Sequence, residues 1–395
     1  MNRVSSLRDD VLLYRSLPFG RQQRCYLDEV VSTESGVVRT RDGRVLHGAA
    51  GLVEQVCLAL NVPALDGDFR EVGQHFGAWL AQSHPPQKAS ASLLNAAEKL
   101  HASDVHLEFT PQGAALRLRI HGALQDFCVM PRGAAERMVA ALKGLSGCLP
   151  YRSDVVQEGR IARDGVGSDI RTSFLPTALG ERAALRLFGA LRTLDTLGLP
   201  AGVLTTFRSA LELRGGLILI AGGTGAGKTT TLYAALGEIA STRRGAHLSL
   251  EDPVEQRLRH VGIAVDQVEL DPSRGITGES MLSAALRQDV DVISVGEIRS
   301  AAEASLALQA AHTGRLVLAG IHAGSCLEAQ VRMTDLGVDR PMLKRTLRGV
   351  LHQKLVRVAC DCTGACARCH GTGFSRRVEA QWLAQGALRD VEDAA

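Results

Sequence analysis

The chain has 395 residues, more than one hydrophobic core usually organises, so two or three domains are expected. Apolar residues make up 45% and charged residues 22%, a globular composition that excludes a disordered or collagen-like chain. Forty-five Lys and Arg against 42 Asp and Glu leave a net charge of +3, too near balance for a general nucleic-acid binder, so no direct nucleic-acid contact is expected.

The start, Met1 to Asp10, lacks the apolar core of a signal peptide, and the longest apolar stretches, such as Leu217 to Ala221, have strand length. A cytoplasmic chain is expected. Residues 1–85 read as a small N-terminal module, a candidate partner-binding element, closed by the polar stretch Gln82 to Gln87. From residue 89 to 190, a helical opening at Ala91 to His101 precedes segments of strand period at Ala114–Ile120, Asp169–Phe174 and Ala183–Phe188, which predicts an α+β domain. Residues 191–203 lack periodicity and read as a linker, and residues 204–395 begin a strand, glycine loop, helix succession that predicts an α/β core.

That succession contains Gly222-Gly223-Thr224-Gly225-Ala226-Gly227-Lys228-Thr229-Thr230, which fits G-x-x-x-x-G-K-[ST] between a buried apolar strand and an Ala/Leu-rich helix. Both contextual conditions of a phosphate-binding loop are met. Its glycines let backbone N–H groups turn around phosphate oxygens, the helix N-terminus adds positive potential, and Lys228 reaches the β/γ-phosphates. Thr229 is the expected ligand of Mg²⁺, and the loop alone implies a nucleotide, with ATP following only from the family resemblance below.

Two strands downstream end in acids. Val292 to Val295 runs into Gly296-Glu297, a Walker B pattern whose carboxylate meets the metal or the attacking water. Leu248-Ser249-Leu250 runs into Glu251-Asp252-Pro253-Val254-Glu255. Either Glu251 or Glu297 orients the water, with Asp252 and Glu255 supporting; Glu297 is favoured for metal and water together.

These residues resemble a family, the secretion ATPases of type II secretion and type IV pilus assembly (the GspE/PilB type). Glu251 to Glu255 resembles its aspartate box, Leu286-Arg287-Gln288-Asp289 with Gly296-Glu297-Ile298-Arg299 its Walker B region, and Thr313 to Leu318 with Ile321-His322 its histidine box. Upstream, Ala102 to Glu108, Arg119 to Gly122, Gln157 to Arg160, Asp169 to Arg171 and Leu175 to Glu181 are similar to the family's PAS-like second domain, and Leu17-Pro18-Phe19 is similar to its leader domain. The resemblance implies a RecA-like P-loop NTPase core preceded by a PAS-like α+β domain. It also implies that His322 senses the γ-phosphate, and that Arg160, Arg171 and Arg186 reach nucleotide across a domain or subunit boundary. The implied assembly is a homo-hexameric motor, peripheral to the inner membrane, acting on an inner-membrane platform. Two positions depart from the family pattern: Arg315 replaces the first histidine of the histidine box, and Gly223 replaces a common proline.

Cys360, Cys362, Cys366 and Cys369 offer four thiolates, the number that a closed Zn²⁺ site needs. They follow a segment, Leu351 to Val358, expected to be helical. The first pair is C-x-C where the family often has C-x-x-C, and the insertion between pairs is almost gone. Two rival readings remain open: a non-hydrolysing scaffold, motivated by Arg315 and the short cysteine module, and a RecA-like nucleic-acid translocase.

Overall fold

A computed structural model describes residues 69–384, apart from 83, 163–168, 190, 363–365, 367–368, 370–371 and the side chains of 260 and 261, together with the backbone of six strands between residues 2 and 47. The leader-like segment Leu17-Pro18-Phe19 lies outside the described residues. The six strands are β1 (Asn2–Arg8), β2 (Val11–Ser16), β3 (Gln22–Tyr26), β4 (Val30–Glu34), β5 (Val37–Thr40) and β6 (Val45–His47). They form a sheet of order β3-β2-β1-β6-β5-β4 in which β1 and β6 run parallel and the other described pairs antiparallel. The chain divides into two compact units, one of residues 1–162, 170–189 and 359–375, the other of 163–169, 190–358 and 376–395.

In the first unit, α1 (Phe69–Leu80) and α2 (Pro86–Lys99) lead into β7 (Asp104–Thr110), β8 (Gly113–Ile120) and β9 (Ala123–Met130), then α3 (Arg132–Leu145), β10 (Gln157–Ile161), β11 (Ile170–Thr177) and β12 (Gly180–Arg186). The sheet order is β10-β11-β12-β7-β8-β9, antiparallel throughout. Alternation does the sorting here: Val105, Leu107, Leu116, Leu118 and Ile120 enter one core with Leu93, Met138 and Leu142 from the helices. Their sequence neighbours His106, Glu108, Arg117 and Arg119 point to the opposite face. Phe69, Phe76 and Trp79 of α1 belong to the same core. The polar stretch expected to be a linker falls between the end of α1 and the first turn of α2. Fully buried Lys143 is ion-paired with Glu181 and lies over the Phe174 ring, 5.6 Å from its centroid, so a lysine enters the core because both its charge and its stem find partners.

The second unit contains α4 (Ala201–Leu211), β13 (Gly216–Ala221), α5 (Lys228–Thr242), β14 (His247–Glu251), β15 (Asp266–Glu269), α6 (Gly278–Ala285), β16 (Val292–Val295), α7 (Ala301–His312), β17 (Leu316–Ile321), α8 (Cys326–Asp335), α9 (Arg340–Thr346), β18 (Leu347–Ala359) and β19 (Phe374–Ala384). Its sheet has the order β15-β14-β16-β17-β13-β18-β19, and the pairs from β15 through β18 are parallel. Every residue of β13 is buried. Leu217 and Leu219 enter one core with α7 and α8, whereas Ile218 and Ile220 enter another with α4 and α5. Helices therefore cover both faces, and the near-continuous apolar run is what a doubly covered parallel strand requires. This is the α/β core that the sequence predicted, of the RecA-like kind that the resemblance implied.

Leu351 to Val358 corrects the sequence reading: these residues form part of β18, not a helix. Leu217↔Leu347 and Ala221↔His352 are paired in parallel register, and this pairing beside β13 outweighs any local preference of a short apolar run. Among the described residues, no helix is long and apolar enough to cross a membrane.

Candidate functional site

In parallel α/β sheets, ligands collect beyond the carboxyl ends of the strands. Gly222 follows β13 there, and its N–H donates to Ile321 O at 3.3 Å. Gly225 and Gly227 hold φ of +73° and +91°, a left-handed conformation that side-chain-bearing residues adopt at a cost. Gly227 is the N-cap of α5, so the unpaired amides of the first helical turn and the positive end of the helix dipole face the loop. Gly223, Thr224 and Gly225 are exposed, while Ala226 is buried. Lys228 Nζ donates to the carbonyls of Gly222 at 2.8 Å and Gly223 at 3.1 Å.

The acid at the end of β16 is brought to this loop. Glu297 Oε1 lies 3.8 Å from Lys228 Nζ, and Arg299 Nε donates to Glu297 Oε2 at 3.0 Å. The same guanidinium donates to Asp252 Oδ2 at 2.6 Å. Arg299 thus ties the ends of β14 and β16 together with two charge-assisted bonds. Burial pulls the Lys228 ammonium below the usual lysine value, and Glu297 acts in the opposite direction.

Glu251 has a different environment. It is 5% exposed, it accepts from the Tyr233 hydroxyl, and Gln267 Nε2 donates to its other oxygen at 2.9 Å. Burial holds its carboxyl above the usual carboxylate range, with the Tyr233 and Gln267 hydrogen bonds offsetting part of that rise. Tyr233 Oη also accepts the backbone N–H groups of Glu255 at 3.1 Å and Gln256 at 3.3 Å, and burial pushes its own pKa up. The helix that opens at the phosphate loop is thereby connected to the acidic segment after β14.

His322 is exposed, one residue beyond β17. Arg315 lies before the opposite end of that strand, where Nη1 donates to Thr313 Oγ1 at 2.9 Å and Nη2 to Leu286 O at 3.0 Å. A six-residue strand spans about 20 Å, so the departure at Arg315 and the histidine His312 fall at the far end from His322 and the glycine loop. Arg315 fastens a loop there.

The three candidate arginines belong to the first unit, where strand register places them in a row. Arg160 pairs with Arg171, Arg171 with Arg186, Arg186 with Asp104, and Asp104 with Arg119. Arg186 Nε and Arg119 Nε lie 3.0 and 3.4 Å from the Asp104 carboxylate. The row thus sets four arginines and Asp104 on five strands, with Arg186 and Arg119 flanking the acid.

The cysteine sulfurs converge as well. All four Sγ atoms lie within 4.8 Å of one another, and Cys360–Cys366, Cys362–Cys369 and Cys366–Cys369 are 3.5, 3.4 and 3.6 Å apart. A tetrahedral Zn²⁺ with Zn–S bonds of about 2.3 Å sets sulfurs about 3.8 Å apart, so the donor set fits the ion despite the short C-x-C bite. Cys360 N–H donates to Gly373 O and Thr372 N–H to Cys369 O. Residues 359–375 group with the first unit.

Tyr233, Arg299 and Gln353 were not given functional roles by sequence reasoning. Arg299 stood within a recognised box, but no local signal marked Tyr233 or Gln353.

The model of the Type II/IV secretion system protein family matches residues 80–387. The chain is 37% identical over 302 residues to the type II secretion system protein HxcR of Pseudomonas aeruginosa, covering 72% of this chain and 63% of that protein. It is 36% identical to the type II secretion system ATPase E of Vibrio cholerae, covering 70% and 56%, and 35% identical to the type IV pilus assembly ATPase PilB of Thermus thermophilus, covering 70% and 31%. The chain thus spans less than two thirds of the length of each of these relatives. Among solved structures, the pilus retraction motor PilT with bound ADP matches with a TM-score of 0.56 and 25% identity, covering 76% of this chain and 85% of that one. The ATPase DotB of Legionella pneumophila matches in fold with a TM-score of 0.60 and 22% identity, covering 76% and 81%.

Proposed function

The chain belongs to the Type II/IV secretion system protein family, and from that premise we propose that it is an ATP-hydrolysing motor for type II secretion or type IV pilus assembly. The observation that carries this reading is the meeting of Lys228, Glu297, Arg299 and Asp252 at the carboxyl edge of one parallel sheet.

Loop amides and Lys228 bind the triphosphate, and the exposed edge of the loop leaves room for it. Thr229 and Glu297 would hold Mg²⁺ through hard oxygen donors, and the ion would supply neutralising charge for phosphoryl transfer. Glu297 orients the water: its carboxylate faces the loop, whereas both Glu251 oxygens are engaged by Tyr233 and Gln267. Glu251, Asp252 and Glu255 hold the surrounding frame, and His322 reports the γ-phosphate. Arg160, Arg171 and Arg186 supply positive charge across a subunit boundary, as the family resemblance implies, a contribution worth about 10³ to 10⁵ in rate for an arginine finger.

The motor works as a homo-hexamer on the cytoplasmic side of the inner membrane, bound to a membrane platform, with Zn²⁺ closing the four-cysteine knot. Mg²⁺-dependent ATP turnover by the purified chain, combined with light scattering in the presence of nucleotide, tests the reading. No turnover from a ring that binds ATP would favour the scaffold alternative, and turnover that requires DNA would favour the translocase.

A further inference from the structure

Gln353 is 3% exposed and comes from β18, far in sequence from the phosphate loop. Both ends of its amide are used on that loop and its helix. Nε2 donates to Ala226 O at 2.7 Å, and Oε1 accepts from Thr231 Oγ1 at 2.8 Å. The backbone approaches equally closely: a Cβ on Gly222 would meet Gln353 O at 2.6 Å, and one on Gly227 would meet Gln353 Nε2 at 3.0 Å. Two of the loop's glycines are therefore set against this one residue.

The consequence follows from peptide geometry. In a trans peptide the C=O and N–H point in opposite directions. Holding Ala226 O on Gln353 directs the Gly227 N–H away from β18, toward the inside of the loop where phosphate oxygens bind. The Ala226 carbonyl fixes which way the amide is turned, because it only accepts and so takes the NH₂, and the Thr231 hydroxyl then donates to the remaining oxygen. Only a side chain with an acceptor and a donor at this reach satisfies both partners.

We propose that Gln353 is a positioning residue for nucleotide binding: by clamping Ala226 O, with Thr231 holding the amide oxygen, it aims the Gly227 N–H at the phosphates. The proposal rests on the phosphate-loop reading, which Lys228→Ala tests separately. Removing the clamp weakens binding of the phosphates and leaves the chemical step intact, so KM and kcat separate.

Steady-state ATP hydrolysis by the full chain is the test. Gln353→Leu is expected to raise KM for ATP by about tenfold with kcat within about twofold, and Thr231→Val to raise KM less, since the Ala226 contact survives. Gln353→Glu adds a reading that loss of packing cannot imitate. Its ionised carboxylate has no donor for Ala226 O, but the protonated acid has one, and burial raises its pKa. The KM of that variant is therefore expected to fall toward the wild-type value from about pH 8 to about pH 6. An unchanged KM in folded Gln353→Leu protein would overturn the proposal, as would a KM defect in Gln353→Glu that is the same at both pH values. If Gln353→Leu fails to fold, the Gln353→Glu pH profile and Thr231→Val decide. Wild-type protein that does not bind ATP would remove the phosphate-loop reading and the proposal together, whereas binding that Lys228→Ala abolishes and Gln353→Leu leaves intact removes the proposal alone.

Discussion

Lys228 Nζ and Glu297 Oε1 stand 3.8 Å apart, close enough for strong mutual attraction and too far for a hydrogen bond. The lysine donates to its own loop, and the glutamate is held from the other side by Arg299. The ends of two parallel strands thus set a cation and an acid facing each other, the pair to which the proposed function assigns phosphate and water.

Lys228→Ala is expected to lower ATP turnover by at least about 100-fold while circular dichroism stays native, because it removes charge over the phosphates without touching a core. Turnover near the wild-type rate would show that the loop does not serve hydrolysis.

Glu297→Gln is expected to retain ATP binding and lose about 100-fold or more in kcat, since an amide cannot take the carboxylate's part in polarising water. Measuring nucleotide affinity beside kcat separates this from a loss of loop structure, which would weaken both.

Arg171→Ala is expected to be nearly inactive alone, yet to regain activity when mixed in one ring with Lys228→Ala chains, because each would supply what the other lacks across a subunit boundary. Activity independent of mixing would place the arginine's effect within its own chain or outside catalysis.

Glu251 yields a prediction about pH. Burial raises its carboxyl above the ordinary glutamate value of 4.5, so the folded state holds its proton more tightly than the unfolded one. Ionising it while buried costs stability, and that cost is absent below 4.5 and grows as pH rises toward the higher folded value. The melting temperature of the wild type, compared with that of Glu251→Gln, is expected to improve as pH falls through this window. A difference that does not vary with pH would mean that Glu251 titrates normally.

The protein purified without added metal is expected to contain one Zn²⁺ per chain by elemental analysis. Replacing Cys366 and Cys369 by serine should remove the ion and make the segment after β18 protease-sensitive, with basal hydrolysis little changed. Four freely titratable thiols in the native chain would contradict the site.

Residues 222–230 and the acid-ended strands could be read directly from the sequence because their chemistry is contiguous. A glycine loop, the lysine after it and the apolar strand before it are determined by local backbone freedom and by burial on both faces. Glu297 announced itself for the same reason, as the acid that ends a short apolar strand. Cys360 to Cys369 was similarly visible, although its fit to an ion was not, since sulfur separations depend on how the turn closes.

What tertiary structure alone decided lies in contacts between distant residues. Gln353 meets Ala226 across 127 positions, and only the parallel register of β13 and β18 brings them together. The arginine row at 160, 171 and 186 exists because antiparallel pairing aligns three strands at those residues. Arg315, a departure within a recognised box, proves to fasten the far end of its strand, which no spacing along the chain reveals. Local conformation is encoded over a few residues, but register is a choice among many pairings, made by which set of side chains the whole core can bury at once.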